Sequence, residues 1–179
     1  MTLSIIFLKR WNTEFIDFYK NTIYKIQVNL EFNELHVTII NENKRNYKFI
    51  LSNKYPFYKP NVFIGDESYI NILKYKKISR INNILDKYNI KCMCCYTIMN
   101  DRNWSPAFQI KNIIAEIEDV NNIKKYVKYF LIIDNICREK NIYTDTIGIN
   151  ILDFIILNNL YKSRFFIPYR QIMFENNMT

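Results

Sequence analysis

Hydrophobic positions recur with two different periods in the first third of the chain. Over residues 3–21 they follow helical spacing, which predicts a helix with one mainly apolar face. Over residues 23–32, 35–39 and 47–51 apolar and polar side chains alternate, and each run predicts a half-buried strand. The apolar run at residues 62–64 adds a short fourth strand. Because short polar segments join the first three runs, the pattern predicts an antiparallel meander that follows a helix.

The rest of the chain has mainly helical patterns. Residues 68–91 fit one or two short helices, whereas residues 92–101 fit a loop or an extended segment. Further helices are predicted over residues 108–120, from Asn121 or Asn122 as a cap to about residue 141, and over residues 149–161. A helix before the sheet and helices after it predict an α+β layered fold.

Composition allows a globular core and changes the interpretation of the charge. The chain has 179 residues, of which 49% are hydrophobic and 16% aromatic, and this excludes a disordered tail. A net charge of +8 would favour a nucleic-acid partner. However, the abundance of Asn, Ile and Lys is typical of an AT-rich genome, such as that of a large DNA virus or a protist. The densest basic patch, at Lys74, Lys76, Lys77 and Arg80, is short. We therefore predict a solvated face there and no nucleic-acid partner.

Hydropathy predicts neither a membrane partner nor a secretory signal. The longest apolar stretch, residues 147–157, contains Asp153 and is shorter than the roughly 20 residues that a span requires. The apolar run at residues 3–8 is too short for a signal peptide and lacks a preceding basic region. We therefore expect a cytoplasmic protein, located in the host cytoplasm or the virion if it is viral. Its cysteines should be reduced thiols.

Three short motifs stand in a characteristic order after the predicted meander. The first reads Tyr55-Pro56-Phe57-Tyr58-Lys59-Pro60-Asn61-Val62, the second Cys95-Tyr96-Thr97-Ile98-Met99, and the third Trp104-Ser105-Pro106-Ala107. They resemble the Tyr-Pro-Phe-Lys-Pro-Pro-Lys-Val, Cys-Leu-Asp-Ile-Leu and Trp-Ser-Pro-Ala segments of the ubiquitin-conjugating (UBC-like) enzymes. The resemblance covers roughly residues 1–120.

The resemblance implies a UBC-like α+β fold. This fold has an N-terminal helix, a four-stranded antiparallel meander, an active-site loop and C-terminal helices. The implied division is a UBC-like core at residues 1–120 and a divergent C-terminal helical extension at residues 121–179, packed on the core.

The resemblance also implies a chemistry for one cysteine. Cys95 would carry ubiquitin, or a ubiquitin-like modifier, as a thioester received from an activating enzyme. Cys94 is the second candidate, because an insertion can shift the register between motifs. The same comparison implies surfaces for the activating enzyme and for a ligase. The residues expected to bind partners are Lys9, Arg10, Phe57, Ser105, Pro106 and Ala107.

One departure from the family leaves an alternative function open. The family's His-Pro-Asn tripeptide has no counterpart, since its place reads Asp86-Lys87-Tyr88-Asn89 and the single histidine is His36. This absence favours a catalytically inactive variant that acts as a binding module or a virion-associated structural module. Neither hypothesis requires a cofactor.

The cysteine-rich run at residues 92–95 has two further interpretations. The thiols can be small buried core residues, with Cys92 and Cys94 on one face of an extended segment and Cys95 on the other. They can also be zinc ligands, but no second pair of ligands is obvious in the sequence. We therefore expect no metal site.

Overall fold

The computed structural model describes residues 4–20, 24–74, 79–87, 90 and 92–139. Its elements, in chain order, are helix α1 (Ile5–Tyr19), strands β1 (Lys25–Glu31), β2 (Glu34–Ile40), β3 (Asn46–Leu51), β4 (Asn61–Ile64) and β5 (Glu67–Ser68), and helices α2 (Tyr69–Leu73), α3 (Ser79–Lys87), α4 (Met93–Tyr96) and α5 (Ile110–Glu139). The strands form one antiparallel sheet in the order β1-β2-β3-β4-β5. The predicted α+β class, with a helix before an antiparallel meander, is confirmed.

The sheet contains one strand more than the four that we predicted. β5 is only two residues long and pairs with β4 across a tight turn at Gly65, where φ is +59°. A positive φ is accessible to glycine at little cost, so this residue allows the chain to reverse. Two residues are too few to show a period, and the alternation rule therefore could not find this strand.

The buried face of the sheet is formed mainly by side chains of β2 and β3. Val37 faces Phe49 across the two strands and Ile39 faces Tyr47, and all four side chains are buried. Residues between them are only partly buried, as the alternating sequence predicts. Each such apolar side chain contributes roughly 1.5–3 kcal/mol when it is removed from water. The same alternation therefore fixes the register of these strands.

Helix α5 is continuous where the sequence predicted a break. We expected Asn121 or Asn122 to start a new helix, but the helix runs through both from Ile110 to Glu139. Asparagine costs only about 0.7 kcal/mol or less in a helix interior. Val120 and Ile123 are both buried on either side of the two asparagines, so the apolar stripe is not interrupted. The predicted helix at residues 149–161 lies outside the described residues.

The described residues fall into two compact units. The first comprises those of residues 1–74 and 97–114, and the second those of residues 75–96 and 115–179. The predicted boundary at residue 120 lies within α5, and the division into a core and an extension stays a prediction.

None of the helices within the described ranges combines the length and the apolar character needed to cross a membrane. Helix α5 has 30 residues, but lysines and acidic residues occur along its length.

Candidate functional site

A buried glutamate connects three segments of the first unit. Glu14 lies on α1 and is 2% exposed. Its Oε1 accepts hydrogen bonds from the Tyr55 hydroxyl at 2.6 Å and from Arg10 Nε at 2.5 Å. Its Oε2 accepts a hydrogen bond from the backbone N–H of Ile110 at 3.0 Å. Because Ile110 begins α5, the carboxylate lies where a helix has unsatisfied N–H groups and a partial positive charge. Glu14 therefore fixes both Tyr55 and the start of α5 to α1.

Tyr55 and Pro56 begin the first proline-containing motif. The peptide bond between them is cis, and the buried Tyr55 ring packs edge-on against Phe7 with ring centroids 6.2 Å apart. Burial, and then the negative charge of Glu14, raise the pKa of Tyr55, so its hydroxyl stays protonated and remains a donor. Trp104 Nε1 donates a hydrogen bond to the Pro56 carbonyl at 2.9 Å. The two proline-containing motifs are therefore directly joined.

Arg10 reinforces the same connection from α1. Its guanidinium donates hydrogen bonds to the carbonyl oxygens of Ala107, at 3.3 Å, and Phe108, at 2.7 Å. The Ser105 hydroxyl accepts a hydrogen bond from the Ala107 N–H at 3.3 Å, which closes the turn around Pro106. Arg10, expected to meet an activating enzyme, thus holds the turn at residues 105–108 in place. Lys9, expected to have the same role, is exposed on α1.

Lys59 links the first motif to a further loop of the first unit. Its Nζ donates a hydrogen bond to the Met99 carbonyl at 2.7 Å and forms an ion pair with Asp101 at 2.6 Å. Within that loop, Asn103 Nδ2 donates to the carbonyl of Thr97 at 3.0 Å. Residues 97–103 are therefore connected both internally and to the proline-containing loop.

The two proline-containing motifs leave four aromatic or apolar side chains in solvent. Phe57 and Tyr58 are each 60% exposed, and Pro106 and Ala107 are exposed as well. We call these four residues the loop surface. Ser105, also expected to bind a ligase, is half-buried beside them in the sequence. Since Pro56 precedes Phe57 and Trp104 lies two residues before Pro106, the Trp104–Pro56 hydrogen bond joins the two halves of the loop surface.

The second unit contains a cluster of three thiols at α4. The Sγ atom of Cys92 lies 3.1 Å from that of Cys94 and 3.1 Å from that of Cys95, and the Cys94 and Cys95 sulfurs are 3.9 Å apart. Cys92 and Cys95 are exposed, whereas Cys94 is half-buried, and none of the three is in a disulfide. We call these three residues the thiol cluster.

We expected a loop or an extended segment over residues 92–101, but residues 93–96 of it are helical. The N–H groups of Cys95 and Tyr96 both donate to the carbonyl of Cys92 at 3.1 Å, so the chain makes a helical turn. The turn brings Cys94 and Cys95, the two proposed nucleophiles, together with Cys92. The cysteines are also not the buried core residues of the other hypothesis, because Met93 is the buried residue of this helix.

Hydrogen bonds within the thiol cluster separate the acidities of its members. Partial burial acts to raise the pKa of Cys92, but hydrogen bonds with Cys94 and Cys95 outweigh it and lower this pKa. The hydrogen bond with Cys92, followed by burial, raises the pKa of Cys94 to about 12. The hydrogen bond with Cys92 also raises the pKa of Cys95. Of the three thiols, Cys92 therefore ionises most readily, and the sequence reasoning missed it as a candidate.

A signal for the whole cluster was present in the sequence. Cys92 and Cys95 are separated by two residues, which is a common spacing of paired thiol ligands and redox cysteines. The resemblance pointed to Cys94 and Cys95 as nucleophiles. Because no second pair of metal ligands was obvious, Cys92 was not predicted to be a ligand.

His36, the single histidine of the chain, takes part in neither site. His36 lies on β2, with its Nδ1 3.4 Å from Glu31 and its Nε2 3.9 Å from Glu34. Asn89 lies outside the described residues.

Comparisons with protein-family models, curated proteins and solved structures give no match to this chain.

Proposed function

We propose that this chain is a UBC-like interaction protein that binds a ubiquitin ligase through the loop surface. The observation that carries the proposal is the exposed pair Phe57 and Tyr58, presented by a loop that buried contacts hold in place. Interfaces derive most of their binding energy from a few aromatic residues in well-packed positions. A rigid loop also lowers the entropy that is lost on binding.

The supporting contacts have a specific functional value. The residues that flank the loop surface are held by hydrogen bonds with Glu14, Arg10 and Trp104. Apolar side chains on a mobile loop would have to be ordered at each encounter, at a cost of about 0.5–1.5 kcal/mol per side chain. Because these contacts already order the loop in the folded protein, this entropy is not lost again on binding. The missing His-Pro-Asn tripeptide is compatible with this function, because binding requires no oxyanion donor.

The test is a titration of the isotopically labelled full chain with a purified ubiquitin-ligase domain, followed by NMR. We expect shifts concentrated at the loop surface, and Phe57→Ala should weaken binding about 30-fold, corresponding to the loss of an anchor worth about 2 kcal/mol. Phe32→Ala is the matched control, since Phe32 is 98% exposed at the β1–β2 turn of the same unit. Equal effects of the two variants, or no binding by a panel of ligase domains, would refute the proposal.

A second candidate function is the transfer of ubiquitin or a ubiquitin-like modifier. The exposure of Cys95 favours it, as does its place in a segment that resembles the family's Cys-Leu-Asp-Ile-Leu motif. In this reaction the Cys95 thiolate attacks the modifier's thioester on the activating enzyme. A new thioester forms at Cys95, and the activating enzyme's cysteine leaves as a thiolate.

This candidate is tested with activating enzyme, ATP and labelled ubiquitin or a ubiquitin-like modifier. A reducing-agent-sensitive adduct that is lost in Cys95→Ser but kept in Cys92→Ser and Cys94→Ser would support it. The absence of an adduct from a folded protein, across several modifiers, would leave only the binding function.

A further inference from the structure

The thiol cluster brings three soft donor atoms together within a four-residue segment. All three Sγ atoms lie within 4.8 Å of one another. In a tetrahedral site with Zn–S bonds of about 2.3 Å, ligand sulfurs are about 3.8 Å apart. The 3.9 Å separation of the Cys94 and Cys95 sulfurs is within 0.1 Å of this value. The other two pairs, at 3.1 Å, would have to open by about 0.7 Å.

We propose that Cys92, Cys94 and Cys95 bind one thiophilic cation, Cu⁺ or Zn²⁺, through three thiolate sulfurs. Thiolate ligands select these soft or borderline ions over Mg²⁺ and Ca²⁺, which require oxygen donors. Three sulfurs complete a trigonal Cu⁺ site. A Zn²⁺ ion at the same sulfurs would keep a fourth position for water or another ligand. This inference goes beyond the proposed binding of a ligase, which uses other residues.

The backbone of the segment is suited to the task. Met93, between two of the cysteines, is 1% exposed, whereas the flanking Cys92 is exposed. The two bonds from the N–H groups of Cys95 and Tyr96 to the Cys92 carbonyl set the relative positions of the ligands. Exposure of two of the sulfurs gives an ion direct access from solvent, which a metal site requires.

Other chemistries account for this arrangement less well. A disulfide can use only two of the three sulfurs, and its S–S bond is about 2.05 Å long, shorter than any distance in the cluster. Thiol–thiol hydrogen bonds are weak, because the S–H group is a weak donor and sulfur a weak acceptor. A metal ion, in contrast, uses all three atoms and compensates the repulsion between three thiolates.

The test uses the full chain, reduced and free of metal, under anaerobic conditions. Cu⁺ and Zn²⁺ are added in separate titrations against chromophoric chelators, and Mg²⁺ serves as the hard-ion control. We expect one Cu⁺ or one Zn²⁺ per chain, with no binding of Mg²⁺. An ultraviolet sulfur-to-metal band should accompany Cu⁺ binding. The arm with the higher affinity identifies the ion.

Serine variants show whether the three thiols are the ligands. Cys92→Ser, Cys94→Ser and Cys95→Ser should each weaken metal binding at least about tenfold, since even the loss of a residue that only supports a ligand costs 10–100-fold. Met93→Leu is the matched control, because it removes a sulfur from the same helical turn and preserves the apolar volume. Circular dichroism verifies the fold of each variant, and the exposed Cys92 and Cys95 provide two changes outside the core.

Three results would overturn the proposal. They are the absence of stoichiometric binding of either ion, binding that the serine variants leave unchanged, and the formation of a Cys92–Cys95 disulfide as the only chemistry of the cluster. The ligase titration with Phe57→Ala is independent of this experiment, so the failure of one proposal does not imply the failure of the other.

Discussion

Replacing the buried Glu14 should destabilise the first unit strongly. Glu14→Ala removes the acceptor of three hydrogen bonds, from Tyr55, Arg10 and the Ile110 N–H. It leaves the Tyr55 hydroxyl and the Ile110 N–H buried without this partner. Loss of one member of a buried charged pair costs about 3–5 kcal/mol. Because the Arg10 side chain is 20% exposed and can regain water, we expect about 3 kcal/mol, at the lower end of that range.

Glu14→Gln removes the charge of the side chain and nearly preserves its shape. The amide keeps one acceptor oxygen, but its NH₂ group must then face a donor. We therefore expect a loss of about 2 kcal/mol, from one hydrogen bond to a charged group. Urea denaturation followed by circular dichroism measures both variants, and a change in midpoint with an unchanged slope reports stability alone.

A matched control and a double-mutant cycle make the test decisive. Glu42→Gln changes an exposed glutamate between β2 and β3 and should alter stability by less than about 0.5 kcal/mol. Tyr55→Phe combined with Glu14→Gln should show a coupling energy of at least about 0.5 kcal/mol. If Glu14→Ala costs less than about 1 kcal/mol, or the cycle shows no coupling, the reasoning about the buried carboxylate is refuted.

Three further predictions concern other parts of the first unit. Trp104→Phe removes the hydrogen bond to the Pro56 carbonyl and should cost about 1–2 kcal/mol in urea denaturation, and an unchanged midpoint would contradict this. Phe32→Asn should raise stability by about 0.5–1 kcal/mol, because Phe32 has φ of +49° and asparagine adopts this conformation at lower cost; a lower melting temperature would show that the exposed ring has a stabilising contact. Asp101→Asn should cost less than about 1 kcal/mol, since Asp101 is exposed and Lys59 retains the Met99 carbonyl, and any loss should shrink in high salt.

Local periodicity predicted the sheet but not the contacts that build the sites. The alternation around Val37 and Phe49 is a short-range signal, and it gave β2 and β3 with their buried faces. In β1 the same alternation predicted a half-buried strand, and this is wrong, because all of its residues except Ile26 are exposed. Glu14 shares the apolar face of α1, but its partners Tyr55 and Ile110 lie 41 and 96 residues away in the chain. A pattern in one segment carries no information about pairings over such separations.

The two local errors have different physical causes. At Asn121 and Asn122 we gave weight to a capping preference that is smaller than the free energy of burying the neighbouring apolar residues. At Cys92 the segment is only four helical residues long and has no period, so helix and extended chain could not be distinguished. The conformation of this segment, helical or extended, determines whether the three sulfurs lie close together or point apart.

The two edges of the sheet differ in the length of unpaired strand that they expose, and this difference affects association of the protein at high concentration. Within the described residues the sheet ends at β1 on one side and at β5 on the other. β5 offers only two residues to an incoming strand, whereas β1 offers seven and leaves Val28 and Leu30 37% and 62% exposed. A seven-residue edge strand with exposed apolar side chains is a template for strand addition by a second copy. The net charge of +8 opposes this approach by repulsion that salt screens. Colloidal stability should therefore decline as ionic strength rises, and association should begin at β1.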